Sequence, residues 1–291
     1  MKPVDLAELT LLAAVWGASF LFMRVGAPEF GAVALAAARV TLASLMLLPL
    51  LAQRRQLAEL RQHWCGLLLV GAFNSAIPFA LFSFAALSIT TGLSSILNAT
   101  VPLWTAIVGF VWLRQGLTAL RVLGLVIGFV GVVYLAWGQA SFKPGESHAG
   151  VWAVAACLGA TGCYGIAANA TRRYLSRASA LAVATGSQCA AAMMLAGPAL
   201  WLWPAQSPST TAWLSALALA GLCTALAYLL FFRLMGRVGP TNTVSVTFLI
   251  PLFALLWGAI FLGEGVTVRM LIGGAIVLVG IALALGLVKR A

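Results

Sequence analysis

Residues 102–131 read PLWTAIVGFVWLRQGLTALRVLGLVIGFVG, and residues 251–280 read PLFALLWGAIFLGEGVTVRMLIGGAIVLVG. At a fixed spacing of 149 the two stretches share Pro102/Pro251, Leu103/Leu252, Leu113/Leu262, Gly116/Gly265, Thr118/Thr267, Gly124/Gly273 and Gly131/Gly280. In so apolar a chain the shared prolines, threonines and spaced glycines carry more weight than the leucines. Upstream, Pro49 aligns with Pro198 at the same spacing, Gly71 with Gly221 and Phe82 with Phe232 at 150, and Gly17 with Gly159 at 142. Self-similarity at a fixed period is the mark of a repeated architecture. The chain therefore divides into two related halves, residues 1–140 and 146–291.

The composition says what kind of repeat this is. Of 291 residues, 63% are apolar and 8% are charged, against about 25% charged in a soluble domain. That is too little charge to cover a water-facing surface. A bilayer span needs about 20 predominantly apolar residues, and such stretches follow one another along the chain. We read ten: 6–25, 31–52, 66–87, 91–113, 118–137, 149–170, 180–203, 212–235, 241–262 and 268–288. Short Pro/Gly/polar breaks such as Ala27-Pro28-Glu29 and Lys143-Pro144-Gly145 separate several of them. The first stretch is long for the apolar core of a cleavable secretory signal, and no A-x-A site directly follows it.

Charge gives the orientation. With ten spans and the N-terminus inside, the inner side collects Lys2, Arg54, Arg55, Arg61, Arg114, Arg121, Arg172, Arg173, Arg177, Arg233, Arg237, Lys289 and Arg290. The outer side keeps Arg24, Lys143 and Arg269, and Arg39 lies within a span. Cytoplasmic loops carry the excess of Lys and Arg, so the bias predicts both termini inside. The net charge of +11 is thus a topology signal, and no nucleic-acid partner is implied. Five helices per half is an odd number, so the halves must enter the membrane in opposite orientations. Inverted repeats recur in secondary transporters, with the solute near the midplane between them. The predicted class is an all-α integral membrane protein of ten helices in two inverted sets of five.

Two five-helix halves, Trp16-Gly17-Ala18-Ser19-Phe20 in the first span, and the Pro102 and Pro251 blocks resemble the drug/metabolite transporter superfamily. Within it the chain is similar to the EamA family, whose P-L…L-G-E ending matches Pro251-Leu252 through Leu262-Gly263-Glu264. The resemblance spans the whole chain. The first half departs from it at Leu113-Arg114-Gln115, where Arg and Gln replace Gly and Glu. The resemblance implies export of amino acids and related metabolites across a bacterial inner membrane, YddG-type exporters of aromatic amino acids being a near example.

Polar side chains deep in a span tend to face the bundle interior. Ser94, Asn98, Pro102 and Thr105 share one helix face in the fourth span. Thr243, Thr247 and Pro251 repeat that stripe in the ninth. A proline frees the carbonyl one turn before it, and in lipid such a group must be satisfied or face a wet cavity. The third and eighth spans pair Asn74 and Pro78 with Thr224 and Tyr228. The first offers Trp16, Ser19, Phe20 and Met23, and the sixth Thr161, Tyr164 and Asn169. Aromatic rings with scattered hydroxyls and amides suit an amphipathic organic solute. Each of these residues also has a packing role open to it, since Ser and Thr bond to their own helix and Asn joins helices. Trp104, Trp112, Trp201, Trp203 and Trp257 read as interfacial or packing residues. Gly124, Gly128, Gly131, Gly273 and Gly280 read as close helix packing, with a homodimer contact as one use. Arg39 is the sharpest residue, because arginine at mid-membrane costs about 3 kcal/mol. Its counterpart 149 residues on is Gln188. Two roles stand open for it: holding a solute carboxylate, or bracing the bundle through backbone carbonyls.

What is missing narrows the function. Asp5, Glu8, Glu29, Glu59, Glu146 and Glu264 all fall in loops or at helix ends, as do His63 and His148. Proton coupling through a buried carboxylate is therefore not expected. Arg39 alone is too little charge for a phosphorylated sugar or a nucleotide. No nucleophile–base pair or metal cluster suggests an enzyme, and no cofactor is expected. The five cysteines form no C-x-x-C pair and imply no disulfide framework. The expected cargo is a neutral or zwitterionic small molecule with an apolar part, such as an amino acid, and the expected surroundings are lipid. Efflux of lipophilic or cationic drugs, and a non-transporting membrane scaffold, are the competing readings.

Overall fold

The computed structural model describes residues 2–137, 147–238 and 246–284. Every regular element among them is a helix. The helices are α1 (Pro3–Phe30), α2 (Ala32–Gln53), α3 (Leu57–Gln62), α4 (Trp64–Gly71), α5 (Ile77–Ala85), α6 (Thr91–Asn98), α7 (Val101–Leu113) and α8 (Ala119–Ala136). They continue as α9 (Ser147–Tyr174), α10 (Ala180–Trp201), α11 (Thr210–Ala220), α12 (Ala227–Val238), α13 (Val246–Leu262) and α14 (Val268–Ala284). Two π-helical segments, Ala72–Ala76 and Gly221–Leu226, join α4 to α5 and α11 to α12. Seven helical stretches are long and apolar enough to cross a bilayer, and α8, α13 and α14 are shorter apolar helices.

The helices begin and end where local chemistry requires. Hydroxyls of Thr90, Ser179 and Ser209 accept from the backbone N–H of Leu93, Ala182 and Ala212 at the starts of α6, α10 and α11, satisfying donors that a helix start leaves free. Glu59 and Glu29 in turn accept the N–H groups of Ser179 and Ser209, each at 2.6 Å.

Local features recur 149 residues apart. Arg114 after α7 and Gly263 after α13 both adopt left-handed backbone, with φ of 51° and 63°. The next residues fold back identically: Gln115 N donates to Gly109 O at 3.1 Å, and Glu264 N to Gly258 O at 3.0 Å. Thr118 then caps α8 through Arg121 N, and Thr267 caps α14 through Met270 N. Arginine pays in strain for a conformation that glycine adopts freely, so the first half departs from the glycine pattern in side chain while keeping the backbone.

The predicted helix-packing glycines lie along one seam. α8 packs along α14, and a Cβ on Gly131 would come within 2.9 Å of Val277 N. Gly280 meets the backbone of Gly128, and Gly124 meets the backbone of Gly280 and Ala284. These glycines serve a contact within one chain, so they are not available to hold a second copy. The remaining core links α1 to α13, α2 to α10, and both α5 and α7 to α9, around Phe20, Met23, Phe30, Leu35, Phe82, Leu93 and Leu97. The outward faces expose Leu45, Val111, Val126, Leu252, Leu271 and other large apolar residues, a surface suited to lipid.

Candidate functional site

The two π segments bring polar groups inward. A π turn carries one residue more than an α turn and often marks a functional site. In the first such segment Ser75 is fully buried; in the second Thr224 is 1% exposed. Arg39 of α2 donates from Nε to Thr224 Oγ1 at 2.9 Å. Gln188 of α10 donates from Nε2 to Ser75 Oγ at 2.8 Å. Arg39 and Gln188 lie 149 residues apart, and so do Ser75 and Thr224. Each half thus reaches across to a hydroxyl in the π segment of the other. The sequence pairs Asn74 with Thr224 at a spacing of 150; the hydrogen bonds follow 149 and pair Ser75 with Thr224. A third bond bridges the halves directly, from Asn74 Nδ2 to the Tyr228 hydroxyl at 2.9 Å.

Arg39, Asn74 and Tyr228 of these ties line a cavity of about 610 Å³. Its wall carries two groups of aromatic rings in contact. Phe20 meets Phe82 edge-on at 5.7 Å, Phe82 stacks with Tyr164 at 6.1 Å, and Trp16 packs on Phe231 at 5.4 Å. Asn169 closes the side formed by α7 and α9, donating to Thr105 O at 3.0 Å and to Gly165 O at 2.9 Å. The Arg39 guanidinium carbon lies over the Phe79 ring, 3.7 Å from its centroid. Arg39, Arg121 and Arg172 are the charged residues of the described wall, so Arg39 is not the lone base that the sequence suggested, and no carboxylate belongs to it.

Of the residues expected from sequence, Trp16, Ser19, Phe20, Arg39, Asn74, Asn98, Pro102, Tyr164, Tyr228 and Thr247 line this cavity together. Met23, Thr105 and Asn169 line it too. Gln188 stands behind the wall, bonded to Ser75 and wholly buried. Ser94 is 3% exposed within α6. Pro78 and Pro251 are buried in α5 and α13. Thr243 lies outside the described residues. Phe79, Gln115 and Cys223 also line the cavity. Phe79 and Cys223 gave no signal beyond apolar residues in apolar helices. Gln115 had one: it stands where the second half has glutamate.

The two ends of the helix bundle differ. Next to Met23 of the cavity wall, Arg24 donates from Nε to Glu264 at 3.4 Å and from Nη1 to Ala86 O at 3.1 Å. Glu264 also accepts the Thr91 N–H at 2.9 Å and the Thr91 hydroxyl. α1, the start of α6 and the α13–α14 connection are thereby latched together. Gly258 makes the room, since a Cβ there would lie 2.6 Å from the Glu264 carboxylate. At the other end stand Gln115, Arg121, Thr171 and Arg172. Gln115 curls over Gly109 as Glu264 curls over Gly258, but it is neutral and cannot make the ion pair that Glu264 makes with Arg24. On that same side of the chain Asp5 and Glu8 of α1 pair with Arg233 and Arg237 of α12.

Comparison with known proteins agrees in kind. The sequence profile of the EamA-like transporter family matches residues 7–137 and again 151–286. A probable terminal-alkyne amino-acid exporter of Streptantibioticus cattleyicolor is 26% identical over 283 residues, covering 94% of this chain and 91% of its own. An uncharacterized transporter of Bacillus subtilis, YvbV, is 24% identical over 280 residues, covering 94% and 89%. A solved crystal structure aligns over the whole of both chains with a TM-score of 0.68 at 19% identity, a likeness of fold.

Proposed function

The chain belongs to the EamA-like transporter family, and we propose that it exports amino acids and similar neutral or zwitterionic metabolites by alternating access. As a transporter of this family it is a multi-pass membrane protein that handles a small molecule. Beyond that, the proposal is ten transmembrane helices in two inverted repeats, residues 1–140 and 146–291, with both termini inside a bacterial inner membrane. α8, α13 and α14 then count as spans: at 1.5 Å per residue their 17–18 residues reach about 26 Å, near the lower limit for crossing. The recurrence of caps, folds and π segments at a spacing of 149 supports the repeat.

The observation that carries the reading is a cavity walled by aromatic rings, amides and hydroxyls from both halves, with the Arg24–Glu264–Thr91 latch toward one side and the neutral Gln115 at the matching position toward the other. Pockets of 300–1,000 Å³ hold small organic ligands, and amino acids fit within this one. The substrate-binding residues proposed are Trp16, Ser19, Phe20, Arg39, Asn74, Asn98, Pro102, Tyr164, Tyr228 and Thr247 in the wall. Pro78, Ser94, Gln188 and Pro251 support them, and Thr243 belongs to the same stripe. Described carboxylates stand outside the wall, which favours facilitated transport or coupling by another route over a buried proton-binding acid. A buried guanidinium disfavours cationic drugs as cargo. A homodimer is no part of this reading, since the glycines that suggested one pack within the chain. Counterflow of labelled amino acids in proteoliposomes tests the proposal. Saturable exchange is expected for a subset with apolar side chains; no saturable flux for any of the twenty overturns it.

A further inference from the structure

Arg39 and Gln188 do the same mechanical job. Each donates one hydrogen bond to a buried hydroxyl in the π segment of the opposite half, at 2.9 Å and 2.8 Å. Gln188 does it with a neutral amide. The positive charge of Arg39 is therefore not needed for the tie. A buried ion is costly unless something offsets it, yet no described carboxylate pairs with Arg39. The described acids are committed elsewhere: Asp5 and Glu8 to α12, Glu29 to Ser209, Glu59 to Ser179, and Glu264 to Arg24 and Thr91.

The guanidinium is also presented for binding. Thr224 takes Nε, and Phe79 covers one face at 3.7 Å from the ring centroid. The side chain is thereby held at two points. The two terminal nitrogens donate no hydrogen bond to a described residue, and the residue lines the cavity. Those nitrogens form the edge of the guanidinium that matches a carboxylate bidentately. Asn74, Tyr164, Tyr228 and Cys223 line the cavity with it, and none of them is a carboxylate that would compete for the guanidinium.

We propose that Arg39 is the docking point for the carboxylate of the solute, and that it makes the cavity selective for monocarboxylates bearing an apolar group. The inference rests on the reading of this cavity as a transport site, and it adds the residue that discriminates among solutes. The Phe20–Phe82–Tyr164 wall takes the apolar part.

The test compares three probes on purified protein by equilibrium binding: L-phenylalanine, 3-phenylpropionate, which lacks the amine, and phenethylamine, which lacks the carboxylate. Wild type is expected to bind at least one of the two carboxylates at least tenfold more tightly than phenethylamine. Arg39→Gln, which copies the tie made by Gln188, is expected to remove that preference while thermal unfolding shows the protein still folded. Arg39→Lys keeps the charge but not the fork and is expected to retain part of it. Equal affinity for phenethylamine and the carboxylates in wild type overturns the proposal without any variant, as does failure of wild type to bind either carboxylate. An Arg39→Gln protein that is folded and keeps the full preference overturns it too. If 3-phenylpropionate binds through Arg39 while L-phenylalanine neither binds nor exchanges, the carboxylate site stands and the amino-acid reading falls.

Discussion

Replacing Glu264 with glutamine should open the cavity at its latched end. Glu264→Gln keeps one acceptor oxygen for Thr91 but removes the charge that pairs with Arg24 and strengthens both Thr91 bonds. A hydrogen bond to a charged group contributes about 1.5–3 kcal/mol. Arg24 and Glu264 side chains are 20% and 12% exposed, so part of that is screened. About 1–2 kcal/mol remains, and at about 1.4 kcal/mol per factor of ten the ratio of latched to unlatched protein should fall roughly tenfold. The assay is labelling of a Ser19→Cys reporter, in a background free of the five native cysteines, by a membrane-impermeant thiol reagent applied to either face of oriented vesicles. Ser19 lines the cavity. In otherwise unaltered protein, labelling should come from the Gln115 face. Glu264→Gln should add labelling from the Arg24 face at about ten times the starting rate, with the other face as a control for folding and insertion. Gly258→Ala should do the same without a change of charge, because its Cβ would displace the carboxylate. An unchanged rate from the Arg24 face in both variants, with normal labelling from the other, refutes the latch.

Three further outcomes are expected. Gly131→Val should destabilise the protein by about 1–3 kcal/mol through overpacking, since even a Cβ meets Val277 N at 2.9 Å; thermal unfolding in detergent measures it. Gln188→Leu should cost about 1 kcal/mol by leaving the wholly buried Ser75 hydroxyl only the long bond from Asn74 at 3.5 Å; a melting temperature equal to that of wild type would show the tie to be idle. Tyr164→Ala should weaken binding of aromatic amino acids by about 0.5–1.5 kcal/mol beyond the loss of buried area, because Tyr164 stacks on Phe82 in the wall; competition in the counterflow assay reads the difference between phenylalanine and alanine.

Much of this architecture was written in residue spacing. Thr118 and Thr267, paired in the sequence, do cap α8 and α14, and the spaced glycines do form a close seam. Polar residues read at helical spacing, among them Ser19, Asn74, Asn98, Thr105 and Thr247, do line the cavity, because lipid forces such side chains inward. Three things were not legible. The π segments have no composition of their own; one extra residue in a turn is a tertiary outcome, so the pairing of Ser75 with Thr224 was missed by one position. The aromatic wall used Phe79, which resembles any other phenylalanine in an apolar helix until Arg39 lies across it. Glu264 read as a loop residue, since its partners, Arg24 and Thr91, are 240 and 173 residues away in sequence. Its counterpart Gln115 stood out only as a departure from the family pattern.

The seam between α8 and α14 constrains how such a molecule can move. One helix comes from each half, and their backbones touch at Gly124, Gly128, Gly131 and Gly280. Helices interlocked this closely cannot slide without driving backbone into backbone. They behave as a spindle shared by both halves. Any rotation that unlatches one mouth must turn about this line, so displacement should grow with distance from it. The helices farthest from the seam, rather than those beside it, would sweep the largest arc.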